Sequence, residues 1–164
     1  MDTQQTLERA ETILQAIASQ FTRPAPERLD AAVAAAQLPA AVEALTRAKF
    51  GYLSAITGLD HPPAAPKAGE AAGPGRVEAL YHFCEGAAVV TLRVAVPYDA
   101  ARIPSIYHLI PSATLFEREL GEMLGITVEG TPVPDHLLLP ENWPEGVYPL
   151  RKSFTGKIEA PPAS

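Results

Sequence analysis

The side chains that most often carry chemistry are few and scattered in this sequence. There is one cysteine, Cys84, and the four histidines lie far apart in the chain, at His61, His82, His108 and His136. Metal sites on one helix place two histidines four residues apart, and iron–sulfur clusters need several thiolates. No glycine-rich phosphate-binding motif occurs either. We therefore expect no catalytic, cofactor-binding or metal-binding residues in this chain.

One helical segment, which ends near residue 124, mixes acidic residues with apolar ones. With successive residues placed 100° apart, five apolar side chains share one arc: Leu115, Phe116, Leu120, Met123 and Leu124. Glu119 falls inside this arc, whereas Arg118 and Glu122 fall outside it, where a solvated pair is expected. A carboxylate in an apolar arc is expected to have a buried partner or to face another protein chain, because an unpaired buried charge costs several kcal/mol.

Glu119 therefore has two interpretations. In a free-standing enzyme it would be an acid–base group with a raised pKa, acting together with a histidine in a pocket. As a structural residue it would form an ion pair or a hydrogen bond, with Arg102, Arg118 or Arg151 as candidate partners. We favour the structural interpretation because the sequence offers no second catalytic group.

The C-terminal region combines large apolar side chains with a backbone that prolines interrupt. No segment between Pro140 and Pro149 is long enough for a helix or a central strand. Trp143, Tyr148 and Leu150 nevertheless favour burial. Because aromatic anchors carry much of the energy of protein interfaces, we expect this tail to bind a partner rather than to complete the core.

The composition narrows the class of protein. The 164 residues suit one domain, and 47% of them are apolar, which is enough for a hydrophobic core. The net charge of −6 and the scattered basic residues argue against nucleic-acid binding, which needs a basic surface. The longest apolar stretch, residues 87–96, has about half the length that a membrane-spanning helix needs. Any association with a membrane is therefore expected to be indirect, through a partner.

Helical signals lie near the N-terminus and again before the tail. Hydrophobic periodicity predicts a helix over residues 2–21 and a second, short helix that opens at Pro39. The acidic helix is expected to begin with a capping box formed by Thr114 and Glu117, and to end at Gly125.

Strand signals fill the middle of the chain. Residues 52–57 predict a strand, and the alternating segments 77–83 and 90–96 predict a hairpin that turns at residues 85–86. This alternation is typical of an antiparallel sheet with one buried face. Between the first strand and the hairpin, residues 61–75 are rich in proline and alanine and predict a mobile loop.

Two motifs make the sequence similar to a known family. FERELGEMLGI at residues 116–126 is followed by LLLPENWPEGVYPLRKSF at residues 137–154. In this order, the two motifs resemble the family of the thirty-kilodalton subunit of respiratory complex I. The same domain occurs in energy-converting membrane-bound hydrogenases. The resemblance is strongest over residues 76–154.

The resemblance implies a cofactor-free hydrophilic subunit of a membrane-bound oxidoreductase, held peripherally on the cytoplasmic side of the membrane. Such complexes couple electron transfer to ion translocation. The implied partners are the large catalytic subunit and neighbouring iron–sulfur subunits, which would hold the iron–sulfur clusters and the quinone or nickel–iron site. Two branches stay open, NADH:quinone oxidoreductase and membrane-bound hydrogenase, and EGVYPLRK at residues 145–152 is more similar to the hydrogenase branch.

The resemblance also assigns individual residues. Glu117, Arg118 and Glu119 carry the family signature. Six residues would lie in the tail that contacts the large subunit: Trp143, Tyr148, Pro149, Leu150, Arg151 and Lys152.

The expected fold is α+β, with helices packed on one face of a small, mostly antiparallel sheet and an extended, irregular C-terminal tail. We expect the α+β domain to cover residues 1–131 and the partner-binding tail to cover residues 132–164. The alanines of residues 28–37 favour a helix by propensity, whereas the resemblance favours a strand over residues 28–35.

Overall fold

The computed structural model describes residues 2–63, 73–132 and 136–157. In chain order its helices and strands are α1 (Thr3–Leu14), β1 (Gln20–Thr22), β2 (Arg28–Ala32), α2 (Leu38–Arg47), β3 (Tyr52–His61), β4 (Arg76–Glu85), β5 (Ala88–Pro97), β6 (Arg102–Pro104), α3 (Ala113–Leu124) and β7 (Thr127–Glu129). Short 3₁₀ helices precede α2 and β6. The predicted α+β class is confirmed.

The main sheet has five strands in the order β1-β2-β5-β4-β3. All neighbouring strands in it are antiparallel except β2 and β5, which run parallel. β6 and β7 form a separate parallel pair. The sheet is therefore mostly antiparallel, as predicted.

β4 and β5 form the predicted hairpin. They pair without interruption from Arg76 opposite Pro97 to Glu85 opposite Ala88, and Gly86 takes the positive φ of 59° that the tight turn requires. The inward side chains are buried and lie at the centre of the core: Val77, Ala79, Tyr81, Phe83, Val90, Leu92, Val94 and Val96. The alternation in the sequence thus predicted both the pairing and the buried face.

The three helices pack on this same face of the sheet. α1 contacts β2, β5 and α2, and α3 contacts β3. Gly58 allows α3 to approach β3 closely, because a Cβ atom at this position would lie 2.1 Å from Cδ1 of Leu124. The predicted arrangement of helices on one face is confirmed, and it leaves the other face of the sheet without a helix in the described part of the chain.

The predicted helix over residues 2–21 is too long, and of the two alternatives for residues 28–35 the strand is found. α1 ends at Leu14, whose carbonyl oxygen accepts the backbone N–H of Ile17 and Ala18 in a turn, and Phe21 lies instead in β1, opposite Ala31. β2 is a strand despite its alanines, because the parallel pairing with β5 buries Leu29 in the core. Tertiary pairing here outweighs helix propensity, as the resemblance implied.

The remaining boundaries agree more closely with the predictions. α2 contains Pro39 in its first turn, and Gly125 ends α3 with a φ of 69°. β3 is longer than predicted and reaches His61. Most of the predicted mobile loop, residues 64–72, lies outside the described residues.

Candidate functional site

The candidate site lies where α3 meets the C-terminal segment of the chain. We call residues 136–157 the strap, because they run across α3 and β3 without a helix or strand of their own. No described residue of the strap belongs to the buried hydrophobic core. Polar groups on the domain hold the strap instead.

Glu117 is the most deeply buried charged side chain of α3, at 1% exposure. Its two carboxylate oxygens accept hydrogen bonds from Oγ of Ser105 and from the backbone N–H of Ile106, both at 2.7 Å. The carboxylate therefore fixes the turn after β6 against the helix. The predicted capping box is wrong: Ser112, not Thr114, stands at the N-cap, and no side chain caps the helix there.

Glu122 holds the start of the strap. Its carboxylate accepts the backbone N–H groups of Leu137, of Leu138 at 2.8 Å and of Leu139 at 3.2 Å. Successive backbone N–H groups that converge on one anion form a favourable site for a negative charge. Glu122 is only 9% exposed, so the predicted solvated pair with Arg118 is wrong.

Arg118 contributes to the same attachment. Its Nη2 donates to the carbonyl oxygen of His136 at 2.8 Å, and Nδ1 of His136 lies 3.5 Å from the Glu122 carboxylate. Arg118 and Glu122 thus bind the strap at consecutive residues, one through a carbonyl oxygen and the other through N–H groups. Two charged residues that the pattern placed in solvent are the first anchor of the strap.

Arg151 forms the second anchor. Its Nε donates to the carbonyl oxygen of Leu124 at 2.6 Å, and its guanidinium carbon lies 4.1 Å from the centre of the Tyr98 ring. The side chain is only 12% exposed and its Nη1 lies 3.7 Å from the carboxylate of Asp60. Arg151 therefore caps the C-terminus of α3 and stacks on an aromatic face at the same time.

Asp60, at the end of β3, completes this anchor. It accepts hydrogen bonds from the Tyr98 hydroxyl and, at 2.8 Å, from the backbone N–H of Lys152. Burial, followed by the hydrogen bond to Asp60, raises the pKa of the Tyr98 phenol, so the hydroxyl stays protonated and can donate. The Asp60 carboxylate therefore accepts two hydrogen bonds and lies close to the guanidinium of Arg151.

The middle of the strap encloses a cavity of about 320 Å³ against α3 and β7. Trp143 closes part of it and is held by its indole N–H, which donates to the carbonyl oxygen of Val147 at 2.8 Å. The Tyr148 ring covers Gly125, where an added Cβ atom would lie 2.5 Å from the ring. Gly125 is therefore needed twice, for its positive φ and for this close approach.

Glu119 lies apart from both anchors. It is half-buried beside a second cavity, of about 210 Å³, between β3, α3 and Leu150 of the strap. Within the described residues it makes no hydrogen bond or ion pair, so none of the three predicted arginine partners is found there. No histidine lines this cavity among the described residues, and the geometry therefore offers no partner for the acid–base interpretation.

The helix-free face of the sheet carries a charged network. Arg93 donates to Glu78 through Nε and Nη2 and to Asp30 through Nη1, each at 2.8 Å, and Nε2 of His61 lies 3.0 Å from Glu78. The hydrogen bonds from Arg93 hold the pKa of Glu78 below its ordinary value. The network ties β2, β3, β4 and β5 together on this face.

Residues 2–63, 73–132 and 136–157 contain no group of three or more histidine, cysteine or acidic side chains that could hold a metal ion. None of the helices in those ranges is long and apolar enough to span a bilayer.

The geometry so far describes an α+β domain with a polar-anchored strap. Residues 31–159 match the family described as the 30 kDa subunit of respiratory-chain NADH dehydrogenase, and the chain belongs to this family. The predicted resemblance is confirmed.

Relatives come from both branches of the resemblance. Over 154 residues, the chain is 31% identical to hydrogenase-4 component G of Escherichia coli (strain K12), a match that covers 88% of this chain and 26% of that protein. It is 33% identical over 125 residues to NAD(P)H-quinone oxidoreductase subunit J of Synechococcus sp. (strain RCC307), covering 71% of this chain and 64% of that protein. The chain thus spans less than two thirds of either relative.

Two solved structures share the fold. The membrane-bound sulfane sulfur reductase, an archaeal respiratory membrane complex, contains a chain that superposes with a TM-score of 0.72 at 24% identity, over 90% of this chain and 84% of that one. A trypsin-resistant fragment of Nqo5 superposes with a TM-score of 0.60 at 21% identity, over 81% of this chain and 99% of the fragment.

The structure brings part of the predicted site together. The signature residues Glu117 and Arg118 both make contacts that position neighbouring segments, whereas Glu119 does not. Among the six tail residues, Tyr148 and Arg151 face their own domain and Leu150 is 56% exposed. Sequence reasoning missed Asp60 and Tyr98, which lie on other elements and carry no signal that links them to the strap.

Proposed function

We propose that this chain is a cofactor-free, hydrophilic subunit of a complex I-like membrane-bound oxidoreductase, similar to the thirty-kilodalton subunit of NADH:quinone oxidoreductase. In this proposal the chain catalyses no reaction by itself. It supports assembly of the large catalytic subunit with neighbouring iron–sulfur subunits, which hold the redox centres. The complex couples electron transfer to ion translocation, and the chain sits peripherally on the cytoplasmic side of the membrane.

The outer surface of the strap is the observation that carries this proposal. Leu138 and Leu150 are 58% and 56% exposed, although the anchors at Glu122 and Asp60 hold the backbone on either side of them in fixed positions. Contiguous exposed apolar side chains mark protein–protein contact sites, and in this proposal the two leucines belong to one. Of the six predicted contact residues, we assign Leu150, Pro149 and Lys152 to the outer surface. We assign Trp143, Tyr148 and Arg151 to its support.

The equivalent subunit of an energy-converting membrane-bound hydrogenase is the second candidate. It is favoured by the match to hydrogenase-4 component G, which covers more of this chain than the match to the Synechococcus protein. The two candidates place the same surface against large subunits with different redox centres.

A membrane pull-down tests the proposal. The tagged chain, expressed in its own host and extracted in mild detergent, is expected to retain a large oxidoreductase subunit and iron–sulfur subunits, identified by mass spectrometry. A nickel–iron large subunit would select the hydrogenase branch. Capture of no oxidoreductase subunit would overturn both candidates.

Matched substitutions then test the outer surface of the strap. Leu138→Ser and Leu150→Ser are expected to reduce the retained subunits without changing the thermal midpoint of the chain, because exposed side chains contribute within about 0.5 kcal/mol to stability. Leu59→Ser is the control, since Leu59 is also exposed but lies on β3, outside the strap. If all three variants lose the same amount of the retained subunits, the outer surface of the strap is not the specific contact site.

A further inference from the structure

The cavity beside Glu119 has the features of a site for one side chain of another protein. We call this cavity the β3–α3 pocket. It measures about 210 Å³, and its apolar walls come from three elements: Ile56 on β3, Leu120, Met123 and Leu124 on α3, and Leu150 on the strap. None of the described residues that line it is basic.

Glu119 is the one charged residue among the described residues of the lining. Its neighbours Glu117 and Glu122 both have their carboxylates occupied by donors from this chain. Glu119 has no such donor among the described residues. A half-buried carboxylate against apolar walls is unfavourable unless a cation or a hydrogen-bond donor reaches it.

Exposed apolar side chains lie close to Glu119 on α3 and in the strap. Leu115, one helical turn before Glu119, is 53% exposed, and Leu150 on the strap is exposed to a similar extent. Apolar residues around a polar centre are typical of an interface position at which one anchoring side chain is enclosed and water is excluded. The pocket therefore offers two complementary features, an apolar hollow and one negative charge.

We propose that the β3–α3 pocket receives an arginine side chain of a partner protein, with the guanidinium on the Glu119 carboxylate. This inference rests on the proposed function, because it requires that the chain belong to a complex. The methylene groups of arginine would pack on Leu150 and Met123 while the charged end reaches the carboxylate. Arginine fits better than lysine because its planar guanidinium binds a carboxylate through two hydrogen bonds and is more weakly hydrated.

The chain itself is a poor source of this cation. Outside the described residues the sequence contains no arginine and one lysine, Lys67. A second copy of the chain would bring another net charge of −6. A basic partner surface complements this charge.

The test compares two substitutions that remove the same charge. Glu119→Gln keeps the shape of the side chain in the pocket, and Glu8→Gln does the same on the exposed side of α1. The tagged full-length variants are used in the membrane pull-down, and each is also purified alone for its thermal midpoint and its size in solution. Glu119→Gln is expected to retain about tenfold less of the partner subunits than Glu8→Gln, because loss of one member of an enclosed charge pair weakens an interface at least this much. The thermal midpoints are expected to be equal.

Each contrary outcome has a distinct meaning. Equal retention by both variants would overturn the pocket proposal and leave the proposed function intact. Failure of the unsubstituted chain to retain any oxidoreductase subunit would overturn both. A lower thermal midpoint for Glu119→Gln alone would mean that the carboxylate has a partner within its own chain. Self-association of the unsubstituted chain that Glu119→Gln abolishes would assign the pocket to a second copy. Either result overturns the proposal.

Discussion

The β4–β5 hairpin and the C-terminal strap are both fixed in place, but by different interactions. The hairpin pairs its backbone along ten residues on each strand and buries every inward side chain in the core. The strap buries no side chain in the core and is held at two points by carboxylates of the domain, Glu122 and Asp60. Apolar burial positions the first region, and charge-assisted hydrogen bonds position the second.

This difference suits the proposed function. A segment held by two polar anchors keeps its own apolar side chains free for a partner, whereas a segment held by apolar burial would use them internally. The anchors also fix the backbone, so less conformational entropy is lost when a partner binds. The comparison predicts that the two regions respond very differently to substitution.

The largest effect is expected in the hairpin. Phe83 is 1% exposed and lies in the core, so Phe83→Ala should lower the free energy of unfolding by about 3–5 kcal/mol. Urea denaturation of the full chain measures this value. Leu138→Ala, in the exposed part of the strap, is the control and should change stability by less than about 0.5 kcal/mol. Similar losses from both substitutions would mean that the strap is part of the core.

The second effect concerns the anchor at Asp60. Asp60→Asn should destabilise the chain by about 2–3 kcal/mol, because it removes the charge that faces Arg151 and replaces one acceptor of the carboxylate by a donor. Trypsin should then cleave after Arg151 or Lys152 at a protease concentration that leaves the unsubstituted chain intact. Asp99→Asn, at an exposed position, controls for the loss of charge. Unchanged cleavage would show that Asp60 does not hold the strap.

The third effect concerns the anchor at Glu122 and should be smaller. Glu122→Gln keeps one acceptor oxygen for the N–H groups of residues 137–139, so we expect a loss of about 1–2 kcal/mol. Hydrogen exchange of these backbone amides should accelerate, while amides of the hairpin should not change. The exposed Glu129→Gln provides the control. Equal exchange in both variants would contradict the anchoring role.

The fold could be predicted from the sequence wherever one periodic signal decided the structure. Alternation over residues 77–96 identified the hairpin and its buried face, because a strand exposes every second residue to the same side. At residues 28–32 the local signal was misleading. Alanine favours a helix in isolation, but the strand is selected by a neighbour, β5, that lies far away in the sequence.

The candidate site was less predictable from the sequence. A helical arc assumes that charged side chains face solvent, whereas two acidic side chains of α3 are buried. The arc placed Leu115 inside and Glu122 in solvent, and the structure reverses both. α3 is covered on one side by β3 and on another by the strap, so its polar residues Glu117 and Glu122 are buried by hydrogen bonding. The helical arc singled out Glu119, and the resemblance marked Glu117, Arg118 and Glu119, but neither identified Glu122 as a buried residue.

The smallest effect is expected on the helix-free face of the sheet. There the hydrogen bonds of His82 are a third kind of interaction, made by a neutral side chain. Its ring nitrogens lie 2.9 Å from Oγ1 of Thr57 and 3.1 Å from Oγ1 of Thr91. Burial, followed by the charge of Arg28, lowers the pKa of His82 below its ordinary value of 6.5. The unfolded chain therefore binds a proton more readily than the folded chain, so the stabilising contribution of neutral His82 is complete above pH 6.5 and is lost as the pH falls through the folded-state pKa.

Urea denaturation at about pH 7.5 and about pH 5.5 measures this contribution of His82, because the two conditions bracket the ordinary pKa of histidine. His82→Gln should reduce the difference in stability between the two conditions, since glutamine does not titrate. His108→Gln, at an exposed position, should leave the difference unchanged. If both variants keep the full difference in stability between the two pH values, a group other than His82 causes it. The protonation of His82 would then not affect stability.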